Sequence, residues 1–274
     1  FDGCTSLTSI VIPSSVKSMG RYAFEGCSSL TSIIVEEGNS VYDSREGCNA
    51  IILTSTNSLI KGCNSTIIPS SVTTILEKAF MNCTSLTSVV IPEGVKGMGY
   101  SAFEGCTSLT SVVIPSSVTE IGSGAFKDCT SLTSVVILEG VKEISYEAFS
   151  GCTSLTSIEI PSSVTEIRFQ TFNGCTSLIS IEIPSSVTMI DDCAFKGCTS
   201  LTSIIIPEGV TKIGSEKCYY QGHVFSGCTS LTSVVINGKI KKIAWKTFSG
   251  CTALESITLP AGVNKIDEDA FEGC

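Results

Sequence analysis

The chain has 274 residues, with 26 acidic against 17 basic side chains and a net charge of −9. That balance argues against nucleic acid, which needs a Lys/Arg stripe to neutralise phosphates, and against direct adsorption to anionic membranes. Apolar residues make up 42% of the chain, enough for a substantial core, yet no uninterrupted apolar run approaches the roughly 20 residues of a membrane span.

In chain order the first signal is self-similarity, which outranks any local pattern. Phe1-Asp-Gly-Cys4 is followed by Cys27, 23 residues on, and the same step separates Cys83, Cys106, Cys129, Cys152, Cys175 and Cys198. Phe80, Phe103, Phe126, Phe149, Phe172 and Phe195 keep it too. Counting Pro115 and its equivalents (Pro13, Glu36, Pro69, Pro92, Leu138, Pro161, Pro184, Pro207, Asn237 and Pro260) gives 11 turns. The expected architecture is one α/β solenoid over residues 1–274, strand-dominated, with a parallel sheet on its concave face. Within a unit, Leu109, Val112 and Ile114 predict a short strand whose alternate residues point inward. Pro115 has no amide proton and ends that strand. Val118 and Ile121 predict a second short extended segment, and Ala125-Phe126 a helical turn with Phe126 as the largest core filler. A single turn buries too little to offset the ordering of its backbone, so stability must come from neighbouring turns.

The pattern Leu-x-x-Ile-x-Ile-Pro-x-x-Val-x-x-Ile-Gly-x-x-Ala-Phe-x-x-Cys resembles the BspA-like (treponemal-type) leucine-rich repeats, over essentially the whole chain. The irregular stretch from Asn39 to Cys63 resembles a variant unit found inside such arrays. The resemblance implies a non-catalytic surface protein of anaerobic bacteria or parasitic protists, extracellular and implicated in adhesion to host or matrix proteins.

Against a regular background, function is expected where the repeat departs from itself. From Glu36 to Pro69 the step is 33 residues, and the extra residues within 39–62 predict a hairpin projecting from one edge. Residues 214–224 hold a second insertion with Cys218, Tyr219, Tyr220 and the single His223. Exposed loop aromatics are enriched at interfaces. The third candidate is the outward strand column: Val11, Ile34, Val90, Val113, Val136, Glu159, Glu182, Ile205, Val235 and Thr258. A β-branched ladder on an exposed sheet marks an interaction site, or serves strand formation alone. Glu159 and Glu182 interrupt it and would favour a basic partner.

Eleven of the 15 cysteines belong to the ladder. Side chains at equivalent repeat positions have parallel Cβ vectors, poor geometry for a disulfide, so the ladder is expected to be core thiols. Cys193 and Cys218, one turn apart, are the candidate disulfide; Cys48 with Cys63 is a weaker one. No Cys-x-x-Cys exists and His223 alone cannot complete a zinc set, so no metal or cofactor is expected. Nothing flanks His223 that would make a catalytic triad, and the glycines sit at repeat corners, not in a phosphate loop. Asn64 and Asn82 begin glycosylation sequons.

Two functional expectations follow. One is a protein-binding adhesin module that uses the column and the insertions. The other is a structural protein that assembles head to tail, because Phe1–Cys4 and Phe271–Cys274 lie at the same phase of the repeat. Those matching, uncapped ends also suit a piece cut from a longer array.

Overall fold

The computed structural model describes residues 1–20, 22–214 and 222–274. Each regular coil lays one strand against the next in parallel, displaced by one repeat. Ser111–Ile114 pairs with Ser134–Ile137, Val112 opposite Val135 and Val113 opposite Val136, and Ser134–Ile137 pairs onward with Ser157–Ile158. The same ladder joins Ser9–Ile12 to Ser32–Val35, and Ser203–Ile206 to Ser233–Ile236 and Ser256–Thr258. Burial alternates along a strand: Ser111 and Val113 face solvent, Val112 and Ile114 the core. Period-two alternation is what a sheet with one buried face produces. After the strand, the Pro115 carbonyl accepts the Val118 amide and turns the chain. A second short strand then forms, so that Gly97–Met98, Glu120–Ile121 and Glu143–Ile144 make a second parallel sheet.

The core lies between these sheets. Leu109, Val112, Ile114, Val118, Ile121, Ala125, Phe126 and Cys129 are each no more than 3% exposed. The phenylalanines stack in an unbroken column from Phe80 to Phe271, with centroids 4.7–5.8 Å apart. A stack this regular is the direct product of a fixed repeat length.

The third side of each coil is not the helical turn the Ala125-Phe126 pair suggests. Among the described residues the one helical element is the 3-10 turn Arg45–Gly47. The reason lies in where the amides go. Ala125, Lys127 and Cys129 donate within their own coil, to Gly122, Gly124 and Phe126, whereas Gly124, Phe126 and Asp128 donate to Tyr146, Ala148 and Ser150 of the next coil. Gly124 (φ +61) and Asp128 (φ +57) are left-handed, which no right-handed helix accommodates. The result is a hook of successive turns that bonds along the solenoid axis, so this side is cohesive without a third sheet.

The cysteine ladder adds its own axial bonds. Cys106, Cys129, Cys152 and Cys175 each donate S–H to the carbonyl of Phe80, Phe103, Phe126 and Phe149, at 3.1–3.2 Å. The pattern continues through Cys198, Cys228, Cys251 and Cys274. Burial pushes the thiols of Cys129, Cys175 and Cys251 up to about 12, and those of Cys106, Cys152 and Cys198 well above the ordinary value. They are protonated donors, not nucleophiles.

The irregular unit departs from the expectation of a projecting hairpin. Ala50–Leu53 and Ser58–Gly62 do form an antiparallel pair, but Ala50, Ile51, Ile52 and Leu59 are wholly buried. Ser58–Gly62 pairs in parallel with Thr74–Ile75 and so enters the second sheet as a regular member. Ile51 packs with Phe24, Ile33 and Tyr42, while Ala50 and Ile52 pack with Phe80 and the coils beyond. The strand therefore partitions the interior, because a continuous apolar run is buried on both faces where an alternating one is buried on only one. Cys48 and Cys63 face these different clusters as thiols and do not bridge.

Candidate binding surfaces

The strand column is the first candidate. Val11, Ile34, Val113, Val136 and Ile205 are 45–60% exposed and Val90 is 80% exposed; Val235 is half-buried and Thr258 exposed. Glu159 and Glu182 are exposed and bridge each other in parallel, two like charges side by side in the middle of the row. Ile67, 76% exposed, extends it. Sequence reasoning passed over Ile67, where Thr66 replaces the inward apolar residue, although its place two residues before Pro69 matches that of Val113 before Pro115. On one flank lies a row of threonines whose hydroxyls are already committed: Thr110 and Thr133 donate to the Thr87 and Thr110 carbonyls. Ile179 takes the place of a threonine in that row and is 52% exposed.

The second insertion lies largely outside the described residues. Cys218, Tyr219 and Tyr220, and with them the Cys193–Cys218 pairing, belong to the stretch 215–221 that the structure does not describe. Cys193 is buried, with its amide donating to the Gly222 carbonyl. His223 packs edge-on against Trp245 at 5.0 Å. Burial first, then the charges of Lys196 and Lys246, hold its imidazole below the ordinary value. Among the described residues no group of His, Cys, Asp and Glu is arranged to hold a metal, and no helix is long and apolar enough to cross a membrane. Asn64 is engaged at both ends of its amide, donating to the Ser28 carbonyl and accepting the Ser85 amide.

A third surface went unread in the sequence. On the hook side, three residues before four of the core phenylalanines, stand Tyr100, Tyr146, Phe169 and Trp245. Cations of the chain lie over several aromatic rings of this side: Lys78 over Tyr22, Arg168 over Tyr146 and Lys246 over Trp245, at 4.4–5.3 Å from the centroids. The signal was present as aromatics recurring at one repeat position, but a search for changes in repeat length does not detect a change in residue type.

Two rows of short strands, paired in parallel from coil to coil outside the irregular unit, an axial phenylalanine stack and a 23-residue period define a strand-built leucine-rich-repeat solenoid. The chain belongs to the BspA type leucine rich repeat family, whose six-copy profile matches residues 1–99, 56–179, 119–222 and 221–274. Among solved structures it is similar to a leucine-rich repeat protein of Bacteroides ovatus, with 31% identity and TM-score 0.69, over 100% of this chain and 66% of that one. One of Eubacterium ventriosum gives 28% and 0.72, over 81% of this chain and 59% of that one. A leucine rich cell surface protein of Faecalibacterium prausnitzii gives 28% and 0.57, over 86% and 85%. The chain thus spans less than two thirds of the length of the first two. A search of curated proteins finds no match.

Proposed function

We propose that this chain is a non-catalytic binding module of a cell-surface protein, an adhesin in type, which recognises a protein partner through the outward strand column. The single observation behind the proposal is the row itself. Val90, Val113 and Val136 stand on adjacent coils, 80%, 52% and 45% exposed, with Val113 and Val136 in direct register. One exposed valine is ordinary, but a contiguous row on adjoining strands is an apolar patch of the sort that proteins bury against partners. Glu159 and Glu182 beside it favour a partner that brings basic residues to that end. Similarity to a protein described as a cell surface protein supports the location.

A solid-phase screen of the chain against matrix and cell-surface proteins tests the reading. Saturable binding to at least one, weakened tenfold or more by Val113→Lys with Val136→Lys, is the expected result. Absence of any saturable partner, or binding indifferent to both lysines, would overturn it. Filaments in electron micrographs of the purified chain, with no partner bound, would instead favour the head-to-tail structural role.

A further inference from the structure

The hook side carries a notch. Four coils place an aromatic ring three positions before the core phenylalanine and a side chain at the left-handed position after it, among them Tyr100-Ser101, Tyr146-Glu147 and Phe169-Gln170. The coil between Tyr100 and Tyr146 carries Ser123-Gly124 instead. Phe103, Phe126 and Phe149 beneath are spaced 5.2 and 5.6 Å, so Tyr100 and Tyr146 flank the space of one missing ring. The vacancy opens into a cavity of about 610 Å³ lined by Tyr100, Tyr146, Phe169, Lys127 and carboxylates, a volume typical of small-ligand or side-chain pockets.

Three features give it a chemical preference. Its carboxylates are Glu104, Glu147, Asp191 and Asp192, and its one ammonium, Lys127, is ion-paired with Glu147. Tyr100 is 54% exposed and, among the described residues, has no cation over its ring, unlike Tyr22, Tyr146 and Trp245 on the same side. On the floor, the Ser101 hydroxyl is fully buried and without a hydrogen-bond partner. It lies where a Cβ on Gly124 would come within 3.3 Å. A buried hydroxyl left unmatched is a cost the fold does not usually carry.

We infer that the notch between Tyr100 and Tyr146 is a receptor for a lysine or arginine side chain of a partner protein. The aliphatic stem lies between the tyrosines, the cation meets the Tyr100 face and the Glu104 and Asp191 carboxylates, and Ser101 supplies a polar contact at the bottom. The site is on a different side of the coil from the strand column and does not depend on that column's being a binding surface.

The test titrates the full chain with acetyl-capped, amidated tetralysine, and with the same peptide acetylated on every lysine side chain, monitored by calorimetry and tyrosine NMR shifts. Tetralysine is expected to bind and shift Tyr100, and the acetylated peptide to bind at least tenfold more weakly. Ser123→Tyr, which supplies the residue the flanking coils already carry, and Tyr100→Ala should each weaken binding tenfold or more. Val113→Lys should leave it unchanged, which separates this site from the strand column. If Ser123→Tyr fails to fold, Gly124→Gln blocks the same space with a residue that Gln170 shows the position tolerates (φ +56). No binding, equal binding of both peptides, or binding indifferent to the notch variants would overturn the inference. So would a Tyr100 shift given by an N-acetylglucosamine oligomer and not by tetralysine.

Discussion

The regular coils and the unit at 39–62 solve the same packing problem in opposite ways. In the coils, large residues are repeated: each phenylalanine lies on the next, and each S–H reaches back one coil. In the irregular unit the stack stops. Phe1 and Phe24 stack with each other, but the next core phenylalanine is Phe80, and Gly62 lies against its ring, where a Cβ would come within 2.1 Å. There the interior is filled by Ile51 and Ile52 of a strand buried on both sides. A periodic region thus draws cohesion from many equivalent contacts, and an aperiodic one from a few that have no substitute. Asp43 belongs to the second kind: burial alone would raise its carboxyl, but hydrogen bonds from Arg45 outweigh it and hold the group below the ordinary range. Arg45 reaches on to Asn57 and ties the unit together.

The largest effect should come from alkali, and should fall on the periodic region. Unfolding lets the ladder thiols ionise at their ordinary value near 9, whereas burial holds Cys129, Cys175 and Cys251 near 12. Above pH 9 the unfolded chain therefore binds fewer protons, and stability falls as pH rises toward 12, by about 1.4 kcal/mol per thiol per pH unit. The stabilisation is fully present below pH 9. Urea melts at pH 7, 9 and 10.5 check this, and a flat profile would contradict the buried ladder. Next, Phe126→Ala should cost about 3–5 kcal/mol, with the loss in the urea midpoint concentrated in coils 103–149, as hydrogen exchange would report. Gly62→Ala should cost about 1–3 kcal/mol through overpacking against Phe80, and exchange should then rise on both sides of the hairpin. Cys129→Ala removes a donor from the Phe103 carbonyl and should cost about 1–3 kcal/mol. Smallest of all, Val113→Thr should move stability by no more than about 0.5 kcal/mol; a larger loss would mean that the strand column supports the fold instead of facing a partner.

Much of the solenoid was legible because the period fixes strand register: a displacement of 23 residues sets Val112 beside Val135. The hook was misread because Ala125, Phe126 and Cys129 have helix-like apolar spacing, although the Gly, Asn or Asp before each ladder cysteine, Asp128 among them, is the residue type that adopts the left-handed φ found there. The hairpin's existence followed from ten surplus residues, but its depth did not, since the run Ala50–Leu53 fits an exposed edge or a buried partition equally well until its neighbours are known. Of the candidate sites, the strand column could be written down from alternation alone. The notch could not, because it is made by what Ser123 and Gly124 lack and by walls two coils apart.

The thiol ladder has a consequence for oxidative chemistry. A chain with 15 cysteines would ordinarily be exposed to mispaired disulfides and sulfenic acids wherever oxidants are abundant. Here Cys106, Cys129, Cys152, Cys175, Cys198, Cys228 and Cys251 are buried thiols whose protons are held on carbonyl oxygens, so peroxide and disulfide reagents meet no thiolate along the column. Among the described residues, the exposed sulfurs are those of Cys4 and Cys274 at the two ends of the ladder, so oxidants meet the column at its ends and not along its length.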